Sequence, residues 1–123
     1  MTLFELVVVV MILGIIAAIA VPRVLSAIGM AQEKTVEHSA AVVRDAINHH
    51  AAMNAGKLPG DAGTEEDFKG DLQPYLKKFP VNPQKTSDTV KVVSTGLPLA
   101  PVGGAFGWVY DNQSGEFIAN SGE

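Results

Sequence analysis

The chain has 123 residues, a net charge of −4 and no cysteine. That length holds one domain at most beside its apolar leader. The missing cysteines exclude disulfides, thiolate metal sites and cysteine nucleophiles, and the lack of a basic cluster speaks against nucleic acid as a partner.

The first element is "MTLFELVVVVMILGIIAAIAVPRV". Residues 6–22 carry no charge, and as a helix they span roughly 25 Å, enough for the hydrocarbon core of a bilayer. A cleaved secretory signal would need a basic stretch ahead of the apolar run, where this chain has Glu5. An ordinary single-span anchor gives no reason for that acid. A carboxylate near a helix start is favoured by the helix dipole, which explains why it is tolerated. If the segment instead leaves lipid and packs against copies of itself, Glu5 needs a cation. The α-amino group of Met1 on a neighbouring, axially offset copy could supply one. A pairing of that kind would set register more than it adds stability.

These residues carry a resemblance. "MTLFELVVVVMILGIIAAIAVP" resembles the processed N-terminus of type IV pilins and of type II secretion pseudopilins, with Met1, Thr2, Leu3, Glu5, Gly14 and Pro22 at the matching places. The resemblance implies an α+β, pilin-like fold, with a long N-terminal spine helix packed against a small antiparallel β-sheet. It implies that Met1 is exposed by a prepilin peptidase and N-methylated, and that Thr2 and Glu5 serve processing and register. Gly14 and Pro22 would lend the helix flexibility, with loosening between them in an assembled filament. Gly14 is a weak helix position and Pro22 lacks a donor, so the chemistry agrees.

Residues 1–23 thus read as a transmembrane and filament-core segment, and residues 24–123 as a head. Its first part, residues 24–55, is the amphipathic half of the spine helix: Leu25, Ile28, Val36, Ala40, Val43, Ile47 and Ala51 recur at helical spacing. "NAGKLPG" ends it, with Gly56 suited to a C-cap, Leu58 folding back and Pro59 preventing continuation. Next, Thr64 is placed to cap a short helix that opens on Glu65, Glu66 and Asp67, and Asp71 to cap another. The β-sheet region covers residues 88–120 or so. "TVKVVST" alternates, and "FGWVYD" and "EFIAN" flank the turn residues Asn112 to Gly115. Between them "LPLAPVGGA" reads as an exposed loop.

No enzymatic constellation is legible, and no cofactor or metal is expected. His38 and His49 share a helix face but stand about 16 Å apart, too far to hold one ion. Asp61 and the acids of residues 65–67 lack a calcium-loop pattern and read as helix-terminus charge. Asp111, Asn112 and Glu116 read as a hairpin turn, without the acidic calcium loop of major pseudopilins. Without the cysteine staple of many pilins, hydrophobic packing or subunit contacts must hold the head.

The expected function is therefore a structural subunit of a type IV pilus-like filament. Its partners are copies of itself, the prepilin peptidase and the pilus or secretion assembly machinery. It is expected in the bacterial inner membrane as a monomer, then in an extracellular filament. The alternative is a pseudopilin of a type II secretion system in a periplasmic pseudopilus. A membrane-tethered binding domain is a third reading, and it would tolerate loss of Glu5.

Overall fold

A computed structural model of the chain describes residues 2–122. Helix α1 runs from Leu3–Met53, α2 from Glu65–Leu72, and three short strands follow: β1 Val90–Val93, β2 Trp108–Asp111 and β3 Phe117–Ala119. Two compact units divide the chain, Met1–Glu33 and Lys34–Glu123. Helix α1 contributes to both.

The first unit is helix alone. It remains helical through Gly14 and through Pro22, although Pro22 has no N–H to give the carbonyl of Ala18. Every large apolar side chain from Leu3 to Met30 is exposed.

In the second unit α1 buries Ala40, Val43, Ala46 and Ile47, with Val36 packed against the same core. The spacing is that of one helix face, as the amphipathic pattern predicts. Leu25 and Ile28 continue the pattern in sequence but stay exposed, because they lie in the first unit, where no described residue covers the helix. The helix ends with Ala55 in the left-handed region and Gly56 N–H on the carbonyl of Ala51. Gly56 therefore stands one place beyond the left-handed cap residue, itself an alanine. Leu58 folds back onto the core as expected.

Thr64 caps α2, its Oγ1 accepting the Asp67 N–H at 3.2 Å. Asp71 caps no second helix. It lies inside α2 and its carboxylate accepts the N–H of Gly60 at 3.0 Å, binding the preceding loop instead.

The sheet is mixed, which corrects the antiparallel expectation. Strands β2 and β3 form the antiparallel hairpin, with Tyr110 opposite Phe117, but β1 runs parallel to β2, with Val90 opposite Trp108. Parallel neighbours need a connection of about a dozen residues or more. Residues 94–107 provide it, so the Pro/Gly-rich stretch is the mostly exposed loop that was expected and also the crossover between parallel strands. The register puts Val90 and Val92 on the same sheet face as Trp108 and Tyr110.

That face carries the core. Phe68 stacks on Tyr110 with ring centroids 4.1 Å apart, Trp108 on Phe117 at 5.2 Å, and Phe79 meets Phe68 and Phe117 edge-on. The polar ends of the two amphipathic rings are both satisfied. Trp108 Nε1 donates to the carbonyl of Pro80 and the Tyr110 hydroxyl to that of Pro59. From α1, the Arg44 guanidinium donates to the carbonyl of Phe117 at 2.8 and 3.1 Å, fastening the helix to the outer strand.

Candidate functional site

The sequence points to the start of α1, and its chemistry there is sparse. Before Arg23 the only polar side chains are Thr2 and Glu5. The structure brings them together. Glu5 Oε2 accepts the backbone N–H of Thr2 at 2.9 Å, and Thr2 Oγ1 accepts the backbone N–H of Glu5 at 3.2 Å. The charge of Glu5 does not reveal this pairing, whereas T-x-x-E at a helix start signals it. Met1, the expected site of processing and methylation, lies outside the described residues.

Gly14 and Pro22 are not drawn together by the fold. A Cβ added at Gly14 would meet nothing within 4 Å. Within one chain, then, no neighbour requires glycine there. A close approach by another surface would be needed to make its small size matter.

A membrane-length stretch of α1 near the N-terminus is apolar and wholly unburied. Soluble proteins rarely leave such a continuous apolar surface in water. A lipid or a matching apolar surface is the kind of environment it fits.

In the head, the residues singled out for chemistry serve structure. His49 stacks on Tyr75 at 6.1 Å and His50 meets the same ring edge-on, while His38 is exposed elsewhere on the helix. A cleft of about 370 Å³ is lined by His50, Asn54, Asp61, Asp67 and Asp71 among others. Its carboxylates are engaged by their own chain. Asp67 accepts from the Ala62 N–H, Asp71 from Gly60, and Asp61 pairs with Lys57 at 3.4 Å. Asp67 and Asp71 stitch the 57–63 loop to α2, while the Lys57–Asp61 pair lies within that loop.

Asp111 is the larger surprise. Read from sequence as a turn residue, it is fully buried at the end of β2. One oxygen accepts the N–H of Gln113 at 2.8 Å. The other accepts the Thr95 hydroxyl at 3.0 Å and the Gly96 N–H at 2.8 Å. Burial by itself would raise its pKa, but these hydrogen bonds to the carboxylate outweigh it and hold the group below its ordinary value. Tyr110 is shifted upward, by burial first and then by the Asp111 and Asp71 carboxylates, so its hydroxyl stays protonated and donates to Pro59.

Two buried asparagines complete this framework. Asn82 and Asn120 donate to the carbonyls of Gly107 and Phe106, both at the entry to β2, and Asn120 Oδ1 accepts the N–H of Val102. The crossover, which has no regular structure, is thus held by side chains of Asp111, Glu116 and Asn120, with Glu116 taking the Leu99 N–H.

No protein-family model, curated protein or solved structure matches the chain.

Proposed function

We propose that this chain is a structural subunit of a type IV pilus-like filament, stored in a membrane and polymerised through its apolar N-terminal helix. The observation that carries the proposal is the first unit: a helix whose large apolar side chains from Leu3 to Met30 are all uncovered, headed by a single carboxylate. In lipid such a helix satisfies its own backbone and loses no apolar contact. In a filament, copies of the helix supply the apolar cover that lipid supplied before.

A repeated heterologous contact that does not close into a ring yields an open helical polymer. The amino terminus of Met1 on one copy would meet Glu5 of the next, setting the step. Gly14 and Pro22 mark the stretch expected to loosen when the helix moves from lipid into the bundle. In the single chain that stretch is helical. The head, fastened by Arg44 and its aromatic core, would face outward.

The test is to shear the cell surface and analyse the filaments by mass spectrometry. An N-terminal peptide beginning at Met1 and one methyl group heavier, abundant in sheared material, supports the proposal. The same peptide confined to the envelope points to a secretion pseudopilin. An unmethylated chain that stays in the membrane overturns both. Glu5→Ala is expected to abolish sheared filaments while leaving the chain in the membrane.

A further inference from the structure

Residues 2–22 contain two hydrogen-bonding side chains, and each is engaged by the other's backbone. The first N–H groups of any α-helix lack partners inside it. At an exposed helix start water substitutes, and losing a cap costs little. Next to hydrocarbon no water substitutes, and each open donor costs more. The tip of α1 is flanked by Leu3, Phe4 and Leu6, all exposed, so its first turn enters whatever covers those side chains.

We infer that the Thr2–Glu5 pair seals the helix start of the lipid-held chain, and that this duty of Glu5 requires its acceptor oxygens but not its charge. The inference rests on the reading that the apolar segment of residues 1–23 enters a membrane. It gives Glu5 two separable roles. Sealing its own helix takes an oxygen at the right distance, which a glutamine also offers. Pairing with another copy's amino terminus takes a negative charge, which glutamine lacks. Thr2 is then a positioning residue: its hydroxyl caps the Glu5 N–H while its own N–H holds the carboxylate in place.

The experiment uses the full chain, isotopically labelled, in phosphatidylcholine nanodiscs, and reads the Cα secondary shifts of residues 2–6. Wild type, Glu5→Gln and Thr2→Ser are expected to be helical from Leu3. Glu5→Ala and Thr2→Val are expected to lose about half or more of the helical shift at residues 3–5, as a missing cap frays a first turn. Fraying in Glu5→Gln equal to that in Glu5→Ala would overturn the inference, because charge against the helix dipole would then be the cause. Intact helical shifts in Glu5→Ala and Thr2→Val would overturn it as well. A lipid-chain spin label in the same discs reports the membrane reading separately. If it fails to quench residues 6–16, that reading falls whatever the shifts show.

Discussion

Glu5 and Asp111 are two carboxylates with similar hydrogen-bond partners and opposite surroundings. Both accept backbone N–H groups of their own chain. Asp111 does so with no exposed surface, inside a packed head, while Glu5 stands at the tip of an uncovered helix. The two regions differ in the same way. The head turns its large aromatics inward and the first unit turns every large aliphatic side chain outward. Apolar content alone therefore does not make a core. The head closes on itself because its stretch of α1 is apolar along one face and its sheet buries Trp108, Tyr110 and Phe117 in the same core. The first unit cannot, since a single helix that is apolar all round has no inside.

The contrast can be broken most severely in the core. Phe68→Ala removes a fully buried ring stacked on Tyr110 and should destabilise the head by about 3–5 kcal/mol. Urea titration followed by fluorescence of Trp108, the single tryptophan, reads this in the detergent-solubilised full chain. Ile12→Ala, an equally apolar truncation in the uncovered unit, should leave the same midpoint unchanged. A common shift would show that the two regions unfold together.

Gly107→Ala comes next. A Cβ there would run into the carbonyl oxygen of Ser87 and also press on Asn82, so the entry to β2 must shift. A loss of roughly 1–3 kcal/mol is expected, as for an overpacked core. Gly14→Ala, with open space around it in the single chain, should cost nothing by the same assay.

Asp111→Asn sharpens the comparison between the carboxylates. An amide keeps one acceptor oxygen, and its NH₂ must face donors now satisfied by the second. The expected cost is about 1–3 kcal/mol. Asp111 also sets a pH dependence. Its folded pKa is depressed, so its contribution is fully present above the ordinary carboxylate value near 3.8. That contribution is lost as pH falls through the lower folded value. The variant should show a flatter acid limb in stability against pH over that window.

Thr64→Ala is the smallest of the four, at about 1 kcal/mol, because it removes a single exposed cap from a short helix. A change well above that would mean that α2 holds the loop of residues 57–63 more tightly than its hydrogen bonds suggest.

Much of the framework was legible from residues alone. The long helix, its end near Met53, the Thr64 cap, the strand of residues 90–93 and the final hairpin all follow from periodicity, capping and turn chemistry, which act within a few residues. The capping box at Thr2 and Glu5 was equally local and could have been read from T-x-x-E. Other features were not local. Nothing in "LPLAPVGGA" tells whether that exposed loop joins antiparallel strands or crosses between parallel ones. That choice depends on where β1 lands beside β2, and so on packing across more than a dozen residues. Asp111 looks like any acid before a turn, and only the crossover folding over it makes it buried.

The sequence by itself determined that this chain has one helix unable to cover itself and one segment able to form a core. Hydrophobic pattern is a property of neighbouring residues, and so it is present in the unfolded chain as well. Only the tertiary structure decided the direction of β1, the burial of Asp111 and the point along α1 where cover begins. Each depends on which distant residues occupy the same space, and no local pattern encodes that.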